Sequence, residues 1–161
     1  MTPPSTSPGE TDATPALPTR VRRVDHLSFT VGDIERSADF YSRFGFERFK
    51  RYTSAGPEVD EGSDTERADM DIQWLRHPLG GPMLELIRYV NHDAGRSAHN
   101  SKVGAAHICF CVEDVSAAFG ALVSEGAEPL SDPHEDEFGV RWVYLRDPDG
   151  NAVELIQDPP E

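Results

Sequence analysis

Residues 24–34 read VDHLSFTVGDI and residues 105–115 read AAHICFCVEDV. In the first stretch Leu27, Phe29 and Val31 face one way while Val24, His26, Ser28 and Thr30 face the other, which predicts a half-buried strand. Each stretch closes on an Asp, Asp33 or Asp114, placed to cap a helix. After Asp33, Ile34, Ala38, Tyr41 and Phe44 recur at helical spacing until Gly45; after Asp114, VSAAFGALVSE runs to Gly126. His26 and His107, Asp33 and Asp114, and Gly45 and Gly126 are each 81 residues apart. The closing strands MLELI (83–87) and AVELI (152–156) repeat at 69 residues, and the 12-residue difference fits extra length between 54 and 70.

Between these landmarks, FERFKRYT, MDIQWLRH and PMLELIRYV read as strands in the first half, and AEPLS, VRWVYLRD and NAVELIQD in the second. Pro78–Gly81 and Asp147–Gly150 supply hairpin turns. The acidic stretches 54–70 and 131–139 show no apolar periodicity and are expected to be loops, each able to close over a site. The chain therefore reads as α+β, with a first βαβββ module at 21–90, a polar linker at 91–103 and a second module at 104–158. Residues 1–20 hold five prolines and almost no large apolar residue, so a disordered N-terminal tail is expected there.

The 161 residues carry a net charge of −14 at pH 7. Nucleic-acid binding and docking on anionic lipid both need clustered Lys and Arg, so both are disfavoured. No apolar run reaches membrane-spanning length, and the first residues lack the basic and apolar regions of a signal peptide. The two cysteines, Cys109 and Cys111, lie two apart on one strand and are expected to be reduced, inert side chains shaping a cup in a cytoplasmic protein.

Chemistry gathers at the repeated positions. Each module offers a His on its first strand and a Glu on its last: His26 with Glu85, and His107 with Glu154. A carboxylate inside an apolar strand is penalised unless something pairs with it. Two imidazoles and two carboxylates suit one divalent ion per site, Zn, Ni, Co, Mn or Fe. Four protein ligands on a six-coordinate ion leave two positions for a substrate with neighbouring oxygens. Loss of a proton beside a polarised carbonyl then becomes feasible, with Glu85 and Glu154 as the candidate bases. Gln73, Tyr89 and Tyr144, on the central strands, are the expected substrate contacts, while His77, His92, His99 and His134 fall in turns or loops and are expected to be solvated.

The segments VDHLSFTVGDIERSADFY, AAHICFCVEDV and RDPDGNAVELIQ resemble the vicinal oxygen chelate superfamily, over about residues 22–158. That superfamily includes glyoxalase I, methylmalonyl-CoA epimerase, extradiol dioxygenases and fosfomycin/bleomycin resistance proteins. The resemblance implies paired βαβββ modules in a cupped mixed sheet, the glyoxalase/bleomycin resistance/dioxygenase-like fold. It also implies a metal held at His26, Glu85, His107 and Glu154, and a homodimer. Ring-cleaving dioxygenases and small-molecule-binding resistance proteins commonly use three ligands; here Glu85 fills the fourth position. Glyoxalase I typically carries an Arg four residues after its first ligand and an Asn four residues after its first Glu, and both help hold glutathione. This chain has Thr30 and Tyr89 there.

The expected activity is accordingly a metal-dependent epimerase or isomerase working through an enediolate. Its substrate would be an acyl-CoA or a cyclic polyhydroxy ketone such as 2-epi-5-epi-valiolone. The alternative is a lactoylglutathione lyase of the glyoxalase I type. An acyl-CoA would need basic partners for its phosphates, and Arg22, Arg23, Arg48, Lys50 and Arg51 are the candidates.

Overall fold

A computed structural model describes residues 19–159 apart from 94, 97 and 98; most of the expected tail therefore lies outside the described residues. The first half runs β1 (His26–Thr30), α1 (Ile34–Ser42), β2 (Glu47–Ala55), α2 (Pro57–Ser63), β3 (Asp69–Arg76) and β4 (Met83–Tyr89). The second runs β5 (His107–Cys111), α3 (Val115–Ser124), β6 (Glu128–Pro129), β7 (His134–Glu135), β8 (Arg141–Arg146) and β9 (Ala152–Gln157). Each half folds its own mixed sheet. The order is β1-β4-β3-β2 in one and β5-β9-β8-β6 in the other, with β7 also paired to β8. In both, the first strand lies parallel to the last, and the remaining pairs are antiparallel. This is the α+β fold of two βαβββ units that the repeat predicts.

The helices begin and end where their caps dictate. The Asp33 carboxylate accepts the Arg36 N–H at 3.0 Å, and the Asp114 carboxylate accepts that of Ala117 at 2.9 Å, each satisfying an orphan donor of the first turn. After α1 the backbone turns through Gly45 at φ +87°, in the left-handed region. A Cβ there would meet the His77 imidazole at 2.7 Å. His77 is thus not the solvated turn residue its sequence position suggests. Its Nε2 lies 3.1 Å from the Phe44 carbonyl, and its ring meets Phe46 edge-on. Gly45→Ala combines backbone strain with this clash and is expected to cost about 1–3 kcal/mol, read as a lower urea midpoint.

Two stretches expected as loops carry short elements. Residues 57–63 form α2, started by Pro57 at its first turn and held below by Asp60, whose carboxylate accepts the N–H groups of Arg67 and Ala68. One apolar residue, Val59, anchors it, too few to leave a periodic signal. His134–Glu135 forms β7 by pairing with Trp142 and Arg141, a strand too short to show alternation.

A single apolar cluster joins the halves. It includes Leu75, Leu84 and Leu86 from the first sheet, Val143, Leu145, Val153 and Leu155 from the second, and residues of both long helices, Ile34, Tyr41, Val115 and Leu122 among them. The Asp147–Gly150 turn of the second half clasps α1 of the first. Asp149 accepts from Gly32 N (2.9 Å), Arg36 Nη2 (2.6 Å) and Ser37 Oγ (2.5 Å), and Asp147 accepts from the Tyr41 hydroxyl (2.9 Å). Phe44 stacks on Phe110 with ring centroids 4.2 Å apart. By the repeat, Pro78–Gly81 occupies the matching turn, but Ala117 and Ala118 stand where Arg36 and Ser37 would bind it. A groove of about 1280 Å³ opens at that end instead. At this end an ion pair between Arg43 and Glu125 links the halves in place of a turn clasp.

Candidate metal and substrate site

Strand parity places the repeated His and Glu residues. On β4, Leu84 and Leu86 are fully buried against the core, so Glu85, between them, points to the opposite face of the sheet. On β9, Val153 and Leu155 do the same for Glu154. The parallel neighbour carries the His two residues before the residue opposite each Glu. Ser28 pairs with Glu85 and Cys109 with Glu154, so His26 and His107 occupy the same place in the two registers.

The side chains meet as this predicts. His26 Nε2 lies 3.7 Å from Glu85 Oε2, and His107 Nε2 lies 3.2 Å from Glu154 Oε2. The carboxylates are 12% and 17% exposed, so they are partly shielded yet reachable. Each imidazole is braced by an aromatic ring meeting it edge-on: Trp74 at 4.9 Å from His26 and Tyr144 at 5.3 Å from His107. Trp74 pairs with Glu85 across strands, and Tyr144 pairs with Glu154, so this feature repeats as well.

Two donors each about 2.1 Å from a common ion lie about 3.0 Å apart at a right angle and about 3.4 Å apart at a tetrahedral angle. The 3.2 Å separation of His107 and Glu154 falls between these values, and the 3.7 Å separation of His26 and Glu85 is slightly wider than both. His26 also has a partner for its other ring nitrogen. Its Nδ1 lies 3.1 Å from Asp25 Oδ1, which favours a proton on Nδ1 and leaves Nε2 free to donate its lone pair. The same contact, helped by Arg23, holds the Asp25 carboxyl below the usual range. Sequence reasoning missed Asp25 because the repeat hides it: Ala106 precedes His107.

Each pair offers two donors. Among the described residues, no group of three or more His, Cys, Asp or Glu side chains gathers as a cation site. The chain brings His26 to Glu85 and His107 to Glu154, and does not gather the two pairs into one cluster. β1 and β5 each end a sheet with one partner strand and an open edge.

The expected substrate contacts divide. Tyr144 lies on the site face, where burial and the Glu154 carboxylate push its hydroxyl above its ordinary pKa. Tyr89 lies on the site face of the first sheet, opposite Met70. Gln73 does not. It is 4% exposed, pairs with Leu86 on the core side, and its Nε2 donates to the carbonyls of Lys50 and Trp74. An amide so committed has no donor left for a substrate. Both cysteines are free thiols, and Cys109 stands opposite Glu154; burial, then that carboxylate, push its thiol up to about 12, which keeps it protonated and unreactive. On the first sheet's site face, Val59 of α2 packs with Met70, Ile72, Trp74, Ile87 and Tyr89. In the second half, Asp136 of the 131–139 stretch lines an open hollow of about 350 Å³ with Trp142, Tyr144 and Glu154.

Residues 23–155 match the Glyoxalase/Bleomycin resistance protein/Dioxygenase superfamily. The chain belongs to that superfamily. Its relatives are enzymes with different reactions. Over 157 residues the chain is 34% identical to a lactoylglutathione lyase of Pseudomonas putida, covering 84% of this chain and 85% of the relative. Over 150 residues it is 33% identical to a 2-epi-5-epi-valiolone epimerase of Actinomyces sp, covering 84% and 79%. A solved glyoxalase family protein from Bacillus cereus shares the fold at a TM-score of 0.80 and 21% identity, over 91% of this chain and all of that one. Superfamily membership fits the duplicated halves described above. Among the described residues no helix is long and apolar enough to cross a membrane.

Proposed function

We propose that the chain is a divalent-metal-dependent epimerase or isomerase that moves a proton beside a carbonyl, on a small substrate with vicinal oxygens. The observation that carries this reading is the repeated pair, an imidazole and a carboxylate 3.7 and 3.2 Å apart on equivalent strands. We further propose that the working unit is a homodimer, in which His26 and Glu85 of one protomer face His107 and Glu154 of its partner. The open edges of β1 and β5 and the separation of the pairs within one chain support this.

His26, Glu85, His107 and Glu154 would hold the ion. When bound, such an ion polarises a carbonyl oxygen and makes the neighbouring C–H acidic. The residues supply the rest. Glu85 or Glu154 takes the proton at an Oε atom and returns it to the opposite face or the neighbouring carbon. Trp74 and Tyr144 fix the two imidazole planes and screen the carboxylates from bulk water. Thr30 and Tyr89 offer no cation to a carboxylate where glyoxalase I carries its Arg and Asn, which favours the epimerase reading over glutathione chemistry.

The test is deuterium exchange of the substrate's acidic proton by the metal-loaded protein, across acyl-CoA esters, cyclic polyhydroxy ketones and hemithioacetals. Exchange that disappears with a chelator and returns with metal is expected; retention of every C–H proton in all three classes would overturn the reading. The 34%-identical lyase relative favours a second reading, which predicts thiol-dependent conversion of methylglyoxal. Asp25→Ala is expected to weaken zinc binding about tenfold by calorimetry, because His26 loses the partner that sets its tautomer.

A further inference from the structure

Of the basic residues that could serve a charged substrate, three are held by carboxylates. Arg48 reaches Glu35 (3.1 Å) and Asp39 (2.8 Å), Arg51 pairs with Glu35 and with Asp71 (2.7 Å), and Arg23 pairs with Asp25. These charges are already matched. Lys50 is placed differently. A register shift between Arg48 and Lys50 sets Lys50 directly opposite Trp74, on the face that carries His26 and Glu85. Its ammonium sits 4.8 Å from the centre of the Tyr52 ring. The Tyr52 hydroxyl accepts from the Trp74 indole N–H at 3.4 Å, and Trp74 meets His26 edge-on. A continuous ledge thus runs from the His26/Glu85 pair outward to Lys50.

Arg76 lies two residues beyond Trp74 on the same strand and shares its face. Its guanidinium is 5.0 Å from the Phe49 ring. Among the described residues, neither Lys50 nor Arg76 forms an ion pair within 4.0 Å, although Glu47 is the cross-strand neighbour of Arg76, in a chain of net charge −14. A ring holds an exposed cation with about 0.5–1 kcal/mol and leaves its charge unneutralised. A charge-assisted hydrogen bond to an oxyanion is stronger. Two cations parked on rings, flanking the indole that braces a site histidine, form a place where an oxyanion replaces weak contacts with strong ones.

We propose that Lys50 and Arg76 form an oxyanion-binding rim to the His26/Glu85 half-site, and that the substrate carries a carboxylate or phosphate beyond its reacting oxygens. This rests on the proton-transfer reading of the site and narrows it, away from neutral polyols and toward charged carbonyl compounds.

The test uses the zinc-loaded full chain and three hydroxy ketones that share the reacting group: neutral dihydroxyacetone, dihydroxyacetone phosphate, and 5-hydroxy-4-oxopentanoate. Affinity is read by calorimetry at low salt, and exchange of the carbinol protons by NMR. At least one charged ketone is expected to bind about tenfold tighter than the neutral one. A preference for the phosphate or for the carboxylate tells which oxyanion the rim takes. K50Q/R76Q should lose the advantage without changing affinity for dihydroxyacetone, and K50R should retain it. Equal binding of all three ketones, or an advantage that survives in K50Q/R76Q, overturns the rim. Exchange of dihydroxyacetone without any charge preference leaves the proton-transfer reading standing and removes the rim. Charge preference lost in K50Q/R76Q, with no exchange on any ketone, keeps the rim and removes proton transfer.

Discussion

Glu154→Gln is expected to slow substrate deuterium exchange by about 10²- to 10⁴-fold while leaving the fold intact. Gln keeps the size of the side chain and removes both its charge and its basicity. Glu154 Oε2 stands 3.2 Å from His107 Nε2, the shorter of the two pairs, so it is at once a ligand candidate and a base candidate. Glu85→Gln should act in the same direction. The two roles separate by measuring bound metal beside exchange. A variant that keeps its metal and loses exchange identifies the base; one that loses both identifies a residue needed chiefly for the ion. Wild-type exchange in both variants would remove these carboxylates from the reaction.

The second large effect is on stability, at a distance from the site. Asp147 is 3% exposed, and its carboxylate accepts from the Tyr41 hydroxyl, from the backbone N–H groups of Asp149 and Asn151, and from the Asn151 side chain. Asp147→Ala strands these donors and removes the Tyr41 bond from the clasp between the halves. A loss of about 3–5 kcal/mol is expected, visible as a lower melting temperature and urea midpoint. Tyr41→Phe removes one of these bonds and should cost about 1–2 kcal/mol. An Asp147→Ala protein as stable as the parent would show that the Asp147 bonds add nothing to what holds the halves together.

The architecture was legible because the chain states it twice. Equal spacing of His, cap and terminal Gly in both halves marks the two units before any strand is assigned, and Glu in an otherwise apolar strand marks the face it must occupy. Where a feature appears once or is small, that signal is lost. α2 rests on Val59 alone, β7 is two residues long, and Asp25 has no counterpart before His107. Gln73 misleads for a different reason. β3 is apolar on both sides, with Met70 and Ile72 under α2 and Leu75 in the core, so the side on which an intervening polar residue falls cannot be read from alternation. Separation of the pairs within one chain was equally hidden, since spacing fixes which residues are equivalent and not which copies meet.

The most direct test of a two-chain site is a mixed dimer. One chain carries H26A/E85Q, the other H107A/E154Q, each with its own tag, and dimers holding both tags are purified. If each site joins the first half of one protomer to the second half of its partner, one site is doubly damaged and the other is intact. Such dimers should then bind one metal ion and show about half the exchange activity of the unaltered dimer. No metal and no exchange in the mixed dimer would mean that both pairs serve a site within a single chain, contradicting the assembly proposed here.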